Sequence, residues 1–319
     1  MKQIIKRGSF FTLMFMLLGC LSLYAADNDL ITEQITIKLE KAGTLPDRIA
    51  SSKKYKITNL KIIGELNGTD LKMIREMAGS TDGKLSVLDL SESKIVEGGD
   101  CYYNSYCTSN DVIGSYAFSD CSRLTSLTLP AGITSIGSYS FQYCSRLTSL
   151  TLPAGITGIG RYAFYGCRGL TSLTLPAGIT EIGNDAFHGC SGLTSLTLPA
   201  GITEIGDGAF SYCSGLTSIY VYAEIVPKIG RVEFTGVDAK KCTLYVPMGT
   251  YSDYWLSDFG DYFENIVEFE ATGIDKTTTS TDVEEVVRYS VNGQRLSAPT
   301  KGLNIVKYSD GSVKKVAVR

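Results

Sequence analysis

Histidine is nearly missing from this chain of 319 residues, which holds a single copy, His188. That scarcity removes the usual proton shuttle and the commonest metal ligand. A Ser-His-Asp arrangement needs a nucleophile and an orienting acid that converge on the imidazole. Ser195 and Asp185 are ordinary repeat residues instead, and His188 reads as a solvent-exposed variant. No GxSxG elbow, P-loop, dinucleotide fingerprint or HExxH stretch occurs. Long basic tracts are missing too, which argues against nucleic acid as a partner. Beyond the N-terminal leader, nothing is long and apolar enough to span a bilayer. The expectation is therefore a non-enzyme, with no cofactor and no metal site.

What the sequence has in abundance is repetition. A 23-residue unit, IGxxAFxxCxxLTSLTLPAGITx, recurs five times, from Ile113, Ile136, Ile159, Ile182 and Ile205. Internal periodicity of this length defines a solenoid, in which each turn buries its apolar face against the next. In the second copy, Ser149-Leu150-Thr151-Leu152 alternates polar and apolar, as a short half-buried strand does. Pro153 stops the strand and Gly155 suits the following turn. The stretch from Tyr139 to Ser145 is too short for a long helix and predicts a single helical or 3₁₀ turn, with Phe141 and Cys144 facing inward. Stacking should align Leu127, Leu150, Leu173, Leu196 and Ile219 in one column, and Phe118, Phe141, Phe164, Phe187 and Phe210 in another.

The flanks extend this pattern. Leu85 to Ile95 keeps the L-x-x-L-x-L spacing, and Ile57 to Leu66 is a weaker version. Between them Leu71, Ile74 and Met77 recur at helical spacing, with Thr69 or Asp70 as the N-cap. Asn67-Gly68-Thr69 is a glycosylation sequon by pattern only. Ile35 to Leu39 predicts a first strand. At the other end, Cys242 to Pro247 and Asn265 to Phe269 predict the last strands, and Tyr251, Tyr254, Trp255, Phe259 and Tyr262 would cover the open core. Asn292-Gly293 and Asp310-Gly311 mark hairpins in a separate tail. The expected organisation is a signal peptide (1–26), an N-terminal cap with irregular repeats (27–112), five regular repeats (113–227), a degenerate repeat with a C-terminal cap (228–271), a linker (272–285) and a small β tail (286–319).

The leader combines the basic residues Lys2, Lys6 and Arg7 with an apolar run from Phe10 to Tyr24, as a secretion signal does. Two processing routes stay open. Cleavage near Ala25 or Ala26 would release an ordinary secreted chain. Leu17-Leu18-Gly19-Cys20 resembles a lipobox, which would make Cys20 a lipidated N-terminus and the chain's one membrane contact. Removing the three leader cations makes the mature chain more acidic than the full-length net charge of −3. Cys121, Cys144, Cys167, Cys190 and Cys213 recur once per repeat, which predicts a column of buried free thiols rather than bridges or zinc ligands. Cys101 and Cys107 flank an irregular YYNSY stretch and are the candidate disulfide.

Variation between copies concentrates around each phenylalanine. Repeats one to three are rich in Tyr and Arg there, the residues favoured at binding hot spots. The candidate partner-binding surface is Tyr116, Arg123, Tyr139, Tyr143, Arg146, Tyr162, Tyr165 and Tyr212. Repeats four and five carry Glu181, Asp185, Glu204 and Asp207 instead.

The repeat also resembles the leucine-rich repeat of BspA-like bacterial surface proteins, common in Bacteroidetes. The resemblance is carried by IGxxAFxxCxxLTSLTLPAGIT over residues 113–227. It implies a leucine-rich-repeat solenoid with a parallel strand ladder, short helical, 3₁₀ or loop segments opposite, helix-containing N-terminal turns and a small C-terminal β module. It further implies export, surface display and adhesion to host extracellular proteins, host cells or other bacteria. The tail, with YSVNGQRL, GLNIVKYSDG and KKVAVR, looks like a sorting module associated with type IX secretion. Two other functions remain beside adhesion: a glycan-binding component of a nutrient-uptake system, and a structural surface spacer.

Overall fold

The computed structural model describes residues 30–270 in full and, beyond them, the backbone of four strands between Glu285 and Val318. The expected signal peptide, Cys20 and all but the last residue of the expected linker lie outside the described residues.

The chain coils into a solenoid with two parallel ladders. The long ladder has ten strands: β1 (Ile35–Lys38), β2 (Asn59–Leu66), β3 (Val87–Ile95), then Ser126–Thr128, Ser149–Thr151, Ser172–Thr174, Ser195–Leu198, Ser218–Val221, Thr243–Pro247 and Asn265–Phe269. The second ladder has six strands of two residues each, from Val112–Ile113 to Lys228–Ile229. Register runs from each repeat to the same position in the next, so Leu127, Leu150, Leu173, Leu196, Ile219 and Leu244 form one buried column. Threonines add a ladder of their own. The Thr148 hydroxyl donates to the Thr125 carbonyl at 3.1 Å, and Thr171 and Thr194 repeat the contact one coil on.

On the third side the phenylalanines stack with ring centroids 5.0 to 5.5 Å apart from Phe118 to Phe210, all fully buried. The repeat cysteines are buried and free. Each thiol from Cys144 to Cys213 donates to the carbonyl of the phenylalanine in the preceding coil, at 3.1 to 3.2 Å. Cysteine therefore fills a small buried gap and gives that carbonyl a second donor, beside the amide three residues on that it already accepts from, as Phe118 does from Cys121. Burial pushes the Cys121 and Cys167 thiols up to about 12, so they stay protonated.

The expected helical turn at Tyr139 to Ser145 does not propagate. Gln142 and Cys144 do donate to the carbonyls three residues earlier. Tyr139 and Tyr143 have left-handed backbones, with φ of 60° and 59°. These residues re-aim the amides, so Tyr139, Phe141 and Tyr143 donate to Arg161, Ala163 and Tyr165 of the next coil. The third side is thus a hydrogen-bonded ladder of turns.

The N-terminal coils hold two helices, α1 (Leu45–Arg48) and α2 (Gly68–Ala78). The N-cap of α2 is Asn67, not Thr69 or Asp70. Asn67 accepts from the Thr69 amide, and buried Asp70 accepts from the amides of Asn67, Gly43 and Leu45. The sequon asparagine is thus a buried cap. At the other end, α3 (Tyr251–Trp255) turns Tyr254 into the core, where its hydroxyl donates to the Ala223 carbonyl at 2.7 Å. Phe259 and Phe263 close over Phe234. Tyr251 and Trp255 depart from the expected cap. They stack on each other at 6.2 Å and stay exposed, because the other face of α3 already fills the core. The tail strands Glu285–Ser290, Arg295–Leu296, Gly302–Tyr308 and Val313–Val318 form one antiparallel sheet. Among the described residues no helix is long and apolar enough to cross a membrane.

Candidate functional site

Each regular repeat has two backbone positions in the left-handed region. One is occupied in successive coils by Tyr116, Tyr139, Tyr162, Asp185, Gly208 and Val232, with φ between 54° and 66°. The other is occupied by Asp120, Tyr143, Gly166, Gly189, Tyr212 and Gly236, with φ between 58° and 84°. Glycine takes this conformation without penalty and Asp tolerates it. A tyrosine there carries strain of order 1–3 kcal/mol. Five of the eight residues expected at the binding surface sit at these strained positions: Tyr116, Tyr139, Tyr143, Tyr162 and Tyr212.

Their rings touch in sequence. Tyr116 stacks on Tyr139 at 4.7 Å and Tyr139 on Tyr162 at 4.8 Å, within 7° of parallel. Tyr162 meets Tyr165 at 5.7 Å, Tyr165 stacks on His188 at 4.7 Å, and His188 meets Tyr212 at 5.1 Å. Tyr143 packs edge-on against Tyr165. The result is one unbroken aromatic strip across all five regular repeats. Glycine makes room for it: a Cβ on Gly166 would lie 2.8 Å from the Tyr143 ring, and one on Gly236 would lie 3.1 Å from that of Tyr212.

The strip continues past the regular repeats at its N-terminal end. Cys101 and Cys107 form a disulfide across the hairpin of β4 (Gly98–Tyr103) and β5 (Tyr106–Thr108). The hairpin sets Tyr103 and Tyr106 on Tyr116, at 5.0 and 4.9 Å. Arg75 of α2 lies 4.7 Å over the Tyr103 ring and also donates to the Tyr116 carbonyl. No periodicity marks these residues, because they lie outside the repeat.

Two arginines depart from the expected grouping. Arg123 donates to the Ser80 carbonyl at 3.0 Å, tying the first repeat to the end of α2 rather than facing the tyrosines. Arg146 is exposed and touches no ring among the described residues. Arg161, not in the expected set, lies 5.8 Å over Tyr162. His188 is half-buried rather than exposed, because Tyr165 and Tyr212 flank it. Its Nδ1 lies 3.2 Å from Asp185 Oδ1, too poorly aligned for a hydrogen bond. Asp185 also accepts from the Tyr162 hydroxyl, which holds that phenol above its ordinary pKa.

Parallel ladders, inward leucine columns and the 23-residue register define a leucine-rich-repeat solenoid. Residues 111–239 match the BspA type leucine rich repeat region in six copies. No curated protein matches the chain. Similar solved structures include the leucine rich repeat protein of T. pallidum, 22% identical over 41% of this chain and 72% of that one, with a TM-score of 0.32. A leucine rich cell surface protein of Faecalibacterium prausnitzii is 22% identical over 68% of this chain and 51% of its own, with a TM-score of 0.33. The pneumococcal vaccine antigen PcpA is 17% identical over 75% and 68%, with a TM-score of 0.35.

Proposed function

We propose that this is an exported, surface-displayed, non-catalytic scaffold that binds a host or bacterial surface protein along the aromatic strip. The observation that carries the reading is strain kept where glycine would remove it. Gly208 occupies the same backbone position as Tyr116, Tyr139 and Tyr162, so the coil itself does not need tyrosine there. Unfavourable backbone geometry that repeats along one surface points to a function for the side chains it presents. Tyrosine and arginine are enriched among the few residues that carry most of the energy at protein interfaces, and Arg75 and Arg161 already sit against the strip. The leader and the sorting-module-like tail support export; a lipid at Cys20 would add a membrane anchor.

Glycan binding is the second reading, favoured by Tyr143 and Tyr212, residues that are 45% and 56% exposed. Both readings meet in one experiment. The protein and its Tyr139→Gly/Tyr162→Gly variant are tested against matrix proteins, bacterial surface proteins and glycans on a biosensor. A protein ligand whose affinity falls by about 1–3 kcal/mol in the variant supports adhesion. Glycan ligands alone would favour the second reading. Ligands that bind both forms equally would remove the strip as the recognition surface.

A further inference from the structure

A second surface, at the C-terminal end of the solenoid, lacks a partner. Met248, Tyr251, Trp255 and Leu256 stand in solvent there. Tyr251 and Trp255 are the stacked pair on α3; Trp255 is 48% exposed and Leu256 82%. The last coil of a solenoid needs a polar outer face, because no further coil covers it. This end presents apolar side chains instead, among acidic ones. From Met248 to Glu270 there are six Asp and Glu and no Lys or Arg. Asp253, Asp258, Asp261 and Glu264 are exposed, and none of the four is in an ion pair among the described residues.

The chain itself carries a body of the opposite charge. From Val286 to Arg319 the tail holds seven Lys and Arg against one acid, Asp310. Its four strands form one antiparallel sheet. A lone sheet of this size is marginal unless a face is covered, and no helix occurs among the described tail residues. Basic and apolar residues share its strands: Lys307 follows Ile305 and Val306, and Lys314 and Lys315 lie between Val313 and Val316. The connection favours a meeting. Residues 271–284 join the two bodies and span at most about 50 Å. The last solenoid strand ends at the patch, where the Met248 amide donates to the Phe269 carbonyl at 2.9 Å and Glu268 accepts from the amides of Gly249 and Tyr251. A link this short gives roughly millimolar effective concentration, so modest complementarity suffices. A second copy offering the same end would set like charges against each other.

We propose that the basic tail sheet of the same chain docks on the acidic, apolar end of the solenoid and covers Trp255 and Leu256. The inference stands apart from the role of the aromatic strip. Cross-linking tests it on the full chain, mixed in equal parts with ¹⁵N-labelled chain. A carbodiimide joins a lysine amine to a carboxylate in direct contact. Mass spectrometry should find Lys307, Lys314 or Lys315 joined to Asp253, Asp258, Asp261 or Glu264, with one isotope in each linked pair. Trp255, the chain's one tryptophan, supplies a second readout. Acrylamide should quench it roughly twofold more strongly at about 1 M than at about 0.1 M NaCl, as the Debye length falls from roughly 10 to roughly 3 Å. A Lys307→Gln/Lys314→Gln/Lys315→Gln variant should show the stronger quenching at low salt. Linked pairs of mixed isotope would put a second copy on the patch and overturn the proposal. Tail lysines joined to acids all along the solenoid, without preference for its end, would overturn it too, as would quenching unchanged in the variant. The cross-links are read on the natural chain, so they decide the matter even if the variant's tail fails to fold.

Discussion

Two aromatic ladders run side by side along the third face of the solenoid, and they obey opposite rules. The inner one, Phe118 to Phe210, recurs in every regular repeat, is fully buried and has no left-handed backbone. The outer one, Tyr116 to Tyr162, occupies only the first three repeats, is half-buried and sits at positive φ. Both stack at nearly the same spacing. Packing demands the first, since a missing ring would open a hole in a core that each coil shares with its neighbours. Packing does not demand the second, since Asp185 and Gly208 replace the tyrosine in the next two coils without interrupting the hydrogen-bond ladder. A column the fold requires stays uniform; a column it merely permits can carry recognition.

The largest effect should come from the inner ladder. Phe164→Ala removes a ring stacked on both sides, at 5.0 Å by Phe141 and at 5.1 Å by Phe187. Equilibrium urea unfolding should show a loss of about 3–5 kcal/mol. A loss under about 1 kcal/mol would mean the coils repack independently of the column. Tyr162→Ala, two residues away on the outer ladder, should cost far less.

A smaller effect is expected at the end of the core, where one residue breaks the inner pattern. Glu233 occupies the column held by Ala117, Ser140, Ala163, Ala186 and Ala209. It is fully buried and neither carboxylate oxygen has an aligned hydrogen-bond partner. Burial, with nearby Asp207 and Asp258, raises its pKa to about 7. The folded state therefore favours the protonated acid, while the unfolded chain ionises near the ordinary value of 4.5. Stability from this group is intact below pH 4.5 and falls as the pH rises toward 7, levelling off above it. Glu233→Ala should be more stable than the natural chain at pH 8 by about 1–3 kcal/mol, with the advantage shrinking at pH 5. Parallel pH profiles for the two proteins would contradict this assignment.

The difference between the ladders also explains what could be read from the sequence alone. Leucine, phenylalanine and cysteine columns were legible because a one-dimensional stack forces the same residue at the same offset. The thiols could be told from disulfides and zinc ligands for that reason, since each coil supplies only one sulfur. The tyrosine backbone was not legible, because tyrosine is not a residue that signals positive φ. The signal was present across the alignment of repeats. Gly208 shares a column with Tyr139, and Gly166, Gly189 and Gly236 share one with Tyr143 and Tyr212. Arg123 was misplaced because spacing within a repeat cannot reveal that the N-terminal helix ends beside it. Tyr103, Tyr106 and Arg75 join the strip through a hairpin and a helix that have no counterpart in the repeat.

The finest contrast lies between two substitutions at one residue. In an ordinary core position, glycine is worse than alanine by about 0.5–1 kcal/mol, since it frees the unfolded chain and packs nothing. Phe141 should follow that order. At Tyr139, φ is 60° and the order should reverse. Both substitutions lose the ring contacts with Tyr116 and Tyr162, so that cost cancels between them. What remains is the left-handed backbone, which disfavours alanine by roughly 1–2 kcal/mol. Less the greater freedom of glycine in the unfolded chain, Tyr139→Gly should exceed Tyr139→Ala by about 0.5–1 kcal/mol in urea unfolding. If alanine proved the more stable at both sites, the left-handed column would carry no strain, and the case for tyrosine being kept there for recognition would lose its physical basis.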